Sequence, residues 1–167
     1  MAIDDIITAL TRIYQSIDRG IPKTAASPDA LVNHINDLYS DSTEGFSSKE
    51  LFTYDDVESP SITLTVHIDA EFDPKRIMES MQSRLQATLH EETDEIGKTG
   101  VVWSFGRYDF VHDDDSGQLR ISHKYSHKRR NTQSVLSIIK RMISYAKDYL
   151  EEVKKSVEES TSNPETE

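Results

Sequence analysis

The chain has no cysteine among its 167 residues. Disulfides, thiolate nucleophiles and cysteine-ligated zinc are excluded together, while the redox compartment is left undecided. No stretch approaches the roughly 18 consecutive apolar residues of a membrane span. The opening Met-Ala-Ile-Asp-Asp-Ile-Ile starts with acids. It lacks both a basic n-region and an unbroken apolar h-region, so it does not read as a secretory signal. A soluble, cytoplasmic protein without a membrane partner is expected. The apolar fraction is only 35% against 29% charged, so part of the chain should be solvated loop or tail.

A second absence is local. From residue 116 to 147 there is no Asp or Glu, yet Arg120, Lys124, Lys128, Arg129, Arg130, Lys140, Arg141 and Lys147 lie there, with His123 and His127 among them. The net charge is −11, which leaves the other 135 residues at −19. Such a charge favours solubility and, over the whole molecule, opposes nucleic acid and anionic lipid. Screening at physiological salt acts over about 8 Å, so a basic face can still hold an anion while the far side is acidic.

What is present is mostly amphipathic pattern. Ile3, Ile6, Ile7, Leu10, Ile13, Tyr14 and Ile17 recur at three- and four-residue steps and predict a helix over 3–19. Asp4 and Asp5 suit its positive end and Arg19 its negative end, with Gly20 and Pro22 to stop it. Ser27-Pro28-Asp29 is a helix start leading to Leu31, Ile35 and Leu38, and the short connection predicts a helical hairpin over 3–39. Residues 40–60 read as polar loop, with a short helical turn from the capping-box spacing Ser47-Ser48-Lys49-Glu50.

Ile62, Leu64, Val66 and Ile68 alternate with Thr63, Thr65, His67 and Asp69, predicting a strand with one wet face. Asp73-Pro74 opens a helix carrying Ile77, Met78, Met81, Leu85 and Leu89, followed by an acidic turn over 91–95. Val101 to His112 reads as one long strand, with a bulge at Gly106 where the apolar phase changes. Asp113-Asp114-Asp115-Ser116-Gly117 forms a hairpin turn, and 118–125 returns with Leu119, Ile121, His123 and Tyr125 on one face and Arg120, Ser122 and Lys124 on the other. A last helix is expected over about 131–159, with a stripe of Val135, Ile139, Met142, Ala146, Tyr149, Val153 and Val157, and then a polar tail over 160–167.

The predicted architecture is a single α+β domain over 1–159 in the order α-α-β-α-β-β-α. A small, mostly antiparallel sheet is packed by helices, its sheet and helix core lying in 61–159. The last helix would be roughly 42 Å long, so its distal stripe should overhang the core and find a partner helix, in the same chain or another. Self-association or docking through that helix follows as an expectation.

No catalytic motif survives inspection. Gly97-Lys98-Thr99 lacks the phosphate-loop glycine five positions earlier, where Glu92 stands, and leads into a strand. There is no dinucleotide fingerprint, serine elbow or zinc-protease helix. His67, Asp69 and Glu71 could ligate a divalent ion from one strand face, although polar alternation is what any wet face shows. The Asp113–Asp115 turn lacks the downstream bidentate Glu of a calcium loop. His112, His123 and His127 could approach one another, since His112 and His123 flank a hairpin, although two histidines on a hairpin are more often cross-strand neighbours than a site. Trp103 and Phe105 could stack a base, but alternating aromatics on a strand are usually core. No cofactor and no metal are expected.

The function expected is that of a non-enzymatic binding or assembly protein, an accessory or structural subunit of a larger complex. It would engage an anionic partner through Arg120, Lys124, Lys128, Arg129, Arg130, Lys140 and Arg141 as one hairpin–helix surface. The bland alternative is that these bases neutralise the chain's own acids. The runner-up is a nucleic-acid-binding domain using the same surface for phosphates. Lys128, Arg129 and Arg130 lie at the positive end of the last helix, where cations are disfavoured unless an anion compensates.

From residue 74 onward, the run of helix, hairpin, basic junction and C-terminal helix resembles the end of a double-stranded-RNA-binding domain. That resemblance implies Lys128, Arg129 and Arg130 as phosphate contacts. It is one of topology over about half the chain. Two features depart from it: no first strand follows Leu89, and the last helix presents Ile, Met and Tyr where the family has Ala.

Overall fold

A computed structural model describes residues 3–42, 50–55, 61–85, 90–93, 101–113, 117–124 and 131–162. Among these residues, four α-helices and six strands follow the order α1 (Ile3–Arg19), α2 (Pro28–Ser42), β1 (Phe52–Asp55), β2 (Ser61–His67), α3 (Pro74–Leu85), β3 (His90–Thr93), β4 (Val101–Phe105), β5 (Tyr108–Asp113), β6 (Gln118–Lys124) and α4 (Thr132–Ser162). The α+β class, the helix positions and the long C-terminal helix agree with the sequence pattern. The sheet is larger than expected: six antiparallel strands in the order β1-β2-β6-β5-β4-β3.

Local chemistry explains the helix ends. Ser27 Oγ accepts from the Ala30 amide at 3.2 Å, so α2 has the serine cap its sequence implies. Asp73 Oδ1 accepts from the Lys75 amide at 3.1 Å at the start of α3, and Asn131 Oδ1 from the Ser134 amide at 2.8 Å at the start of α4. In α1 the acids occupy the first turn and Arg19 the last, and Gly20 follows at φ 146°. The predicted helical turn at 47–50, all but Glu50, and the end of the α3 pattern at Leu89 fall on residues outside those described.

Three strand readings are corrected. The segment 101–112 is two strands joined by a two-residue turn, Gly106-Arg107, with Phe105 opposite Tyr108. Gly106 has φ 61°, as the primed turns that match strand twist require. A bulge would have offset the register; the hairpin instead pairs Trp103 with Phe110 and Phe105 with Tyr108. Phe52 to Asp55, read as loop, pairs with β2. His90 to Thr93, read in part as an acidic turn, pairs with β4. Both are four-residue edge strands with polar positions, so periodicity was too short to reveal them. β3 also supplies a strand after α3, but four strands then separate α3 from α4, and the likeness to the double-stranded-RNA-binding domain goes no further.

One sheet face carries the core. Ile62, Leu64 and Val66 of β2, Phe110 of β5, and Leu119 and Ile121 of β6 are buried, and α4 lies against β2 and β6. α1 and α3 pack on α4, while α2 packs on α1, α4 and β1. The expected overhang of α4 is corrected by this arrangement. Tyr149, Leu150 and Val153 are all 0% exposed and Val157 packs against the core. Lys154 bridges Asp4 of α1 at 2.7 Å, and Ser80 of α3 donates to Glu152 at 2.8 Å. The distal stripe therefore has its partner helices within the chain, and the reason for expecting self-association through α4 is gone. The helix runs to Ser162, three residues beyond the expected end and into the segment read as tail. Among the described residues, no helix is long and apolar enough to cross a membrane.

Candidate anion-binding surface

β6 alternates as its sequence predicts. Leu119, Ile121 and His123 turn under the helices, while Arg120 and Lys124 are exposed on the opposite, open face. Register places Arg120 between Thr65 of β2 and Val111 of β5, and Ser122 between Thr63 and Asp109. Thr63 Oγ1 and Ser122 Oγ are 3.2 Å apart, and Ser104 Oγ donates to Asp109 Oδ1 at 2.6 Å. By register Asp109 and Val111 of β5 share this face with Thr63, Thr65 and Ser122, and the two long bases rise from it about 14 Å apart along the strand. Neither Arg120 nor Lys124 has an ion-pair partner among the described residues.

The bases of α4 lie elsewhere. Lys140 Nζ is 2.8 Å from Asp18 Oδ1 of α1 and 5.3 Å from the centre of the Tyr14 ring. The hydrogen bond to Asp18 pushes its pKa up, so this base neutralises one of the chain's own acids. Arg141 is exposed and hydrogen-bonds the Tyr145 side chain, which raises its pKa further. The sheet stands between these two residues and the pair Arg120 and Lys124, so the structure does not join the four into one surface. Lys128, Arg129 and Arg130, the other members of the predicted surface, lie outside the described residues.

An aromatic group that composition did not single out sits beside Arg141. Tyr108 of β5 packs on His123 of β6 with ring centres 4.6 Å apart, and on Tyr145 of α4 at 5.2 Å. Phe110 lies 5.7 Å from Tyr145. His123 is 7% exposed, and its Nδ1 is buried without a hydrogen-bond partner among the described residues. Burial, then the nearby Arg107 charge, lowers its pKa, with Asp109 opposing. Burial raises that of Tyr108. Arg107 is exposed at the β4–β5 turn. Reading the phase reversal across Gly106 as a two-residue hairpin would have placed Arg107 at a turn tip.

The remaining candidates separate. His112 pairs across from Leu119 and His123 from Tyr108, at opposite ends of the β5–β6 pair, so these histidines do not approach each other. β2 ends at His67, and Asp69 and Glu71 lie beyond it rather than on one strand face. No group of three or more His, Asp or Glu side chains able to hold a metal ion occurs among the described residues. Trp103 is 6% exposed and belongs to the core. Gly97-Lys98-Thr99, Asp114, Asp115 and His127 lie outside the described residues. No protein-family model matches this chain, and neither does any curated protein or solved structure.

Proposed function

We propose that this chain is a non-enzymatic binding protein, an accessory subunit that engages an acidic protein partner through the open face of its sheet. The observation that carries this reading is the contrast between Lys140, paired with Asp18, and Arg120 and Lys124, which are exposed with no carboxylate partner among the described residues. Exposed bases without an ion-pair partner contribute chiefly to encounter rate and orientation. Binding should therefore weaken with salt. In the sequence, Lys128, Arg129 and Arg130 come four to six positions after Lys124.

The test is titration of the full chain with poly-glutamate, duplex RNA and duplex DNA across a salt series, beside the double variant Arg120→Glu, Lys124→Glu. Salt-sensitive capture of poly-glutamate that the double variant loses is the expected result. Tighter capture of a duplex, with a salt slope that falls by about one per removed phosphate contact, would replace the protein partner with nucleic acid. Absence of binding to every polyanion at low salt would end the reading.

A further inference from the structure

The end of the β5–β6 ladder brings one exposed base from outside the acid-free stretch to the open face. The last pair at this end is Tyr108 with His123. One step further stand Arg107, the second residue of the β4–β5 turn, and Lys124, the last residue of β6. Tyr108 turns under the helices, where it packs on Tyr145 of α4 with ring centres 5.2 Å apart. Strand alternation therefore sets Arg107 on the side of Asp109, which shares the open face with Ser122 and Lys124. Arg107 and Lys124 are both exposed.

Cross-strand neighbours lie roughly 5 Å apart at their Cα atoms, and like charges so placed repel. The acid that register brings nearest is Asp109, diagonal to both Lys124 and Arg120. Its Oδ1 accepts from Ser104 at 2.6 Å. Among the described residues, no ion pair joins it to Arg107, Lys124 or Arg120. Two cations held side by side on one sheet face become favourable once a single anionic group meets both. A guanidinium fork takes a carboxylate in a bidentate way, and a neighbouring ammonium adds a second charge.

We propose that Arg107 is a partner-binding residue of the open face and forms with Lys124 a clamp for one carboxylate of the acidic partner. Arg120, about 14 Å along β6 from Lys124, meets a second carboxylate of the same partner. The clamp rests on the open-face reading and narrows it, because it assigns one anionic group to two bases from different strands.

The experiment is a double-mutant cycle on the full chain, read as poly-glutamate affinity at about 0.1 M salt, where screening acts over about 10 Å. Arg107→Gln and Lys124→Gln should each weaken capture about fivefold. Their double variant should lose little beyond either, since both bases act on the same carboxylate. Arg107→Gln and Arg120→Gln, which act on different carboxylates, should multiply. Arg107→Lys should recover only part of the loss, because it lacks the fork. Arg141→Gln, with the sheet between, should leave capture unchanged. Thermal melts check that each variant is folded. Binding that is lost in the Arg120→Glu, Lys124→Glu variant but kept in Arg107→Gln would overturn the clamp and leave the open-face reading standing. Effects of Arg107→Gln and Lys124→Gln that simply multiply would do the same. Absence of poly-glutamate capture by the unsubstituted chain would end both.

Discussion

Asn36 of α2 uses both ends of its side-chain amide on the backbone of Phe52: Nδ2 donates to the Phe52 carbonyl at 3.0 Å, and Oδ1 accepts the Phe52 amide at 2.8 Å. Phe52 lies on the edge strand β1, and its outward backbone groups would otherwise be open to pairing with another chain. A helix side chain thus takes the place of a neighbouring strand. Asn36→Ala should cost about 1–3 kcal/mol, because it leaves a donor and an acceptor unmatched. Faster hydrogen exchange at the Phe52 amide locates the effect; unchanged exchange there would contradict it.

The two hairpin glycines should differ in their tolerance of a side chain. Gly106 has φ 61°, and a Cβ placed there would meet nothing within 4 Å, so Gly106→Ala should cost about 1–2 kcal/mol in backbone strain alone. At Gly117, with φ 69°, a Cβ would also meet the Ile68 carbonyl oxygen at 3.0 Å. That carbonyl belongs to the residue whose amide bonds the Gly117 carbonyl at 2.8 Å. Gly117→Ala should be the more destabilising in denaturant titrations, and the reverse order would mean that the β2 end yields easily.

The buried distal half of α4 makes a prediction about stability rather than assembly. Leu150 is 0% exposed, so Leu150→Ala should cost about 2–5 kcal/mol. The loss should be the same at every protein concentration. A melting midpoint that rises with concentration in the unsubstituted chain would instead return α4 to the role of an intermolecular contact.

His123 should give stability an acid limb. Its folded pKa is depressed by burial first and by Arg107 second. Above the ordinary value of about 6.5 the ring is neutral in both folded and unfolded chains and contributes no pH dependence. As pH falls below that value, the unfolded chain takes up a proton that the folded chain resists, so stability declines until pH passes the folded pKa. Melts from pH 8 to pH 5 should show this decline, and His123→Phe, which keeps a ring against Tyr108, should flatten it. Equal slopes in both proteins would remove His123 as its source.

The helices were legible because each carries a long apolar stripe at three- and four-residue steps and a chemically specific start, such as Ser27 before α2 and Asp73 before α3. The central strands were legible for the same reason: Ile62, Leu64 and Val66 alternate over enough residues to establish a period. β1 and β3 are four residues each, and what makes them strands is pairing with β2 and β4, which no local pattern encodes. Gly106 was visible as a phase change, but a bulge and a two-residue turn alter the alternation alike; only the pairing of Phe105 with Tyr108 separates them.

The sequence by itself determined the four helices, the central strands, the absence of cysteine chemistry and the side of β6 on which Arg120 and Lys124 emerge, since strand parity is a local property. Tertiary structure decided which bases remain available. Lys140 is paired by Asp18, 122 residues away in the chain, and the α4 stripe is covered by α1 and α3. Arg107, outside the acid-free stretch, is set beside Lys124 by the β5–β6 register. Composition counts charges along the chain, but Coulomb's law acts through space, and the fold sets those distances.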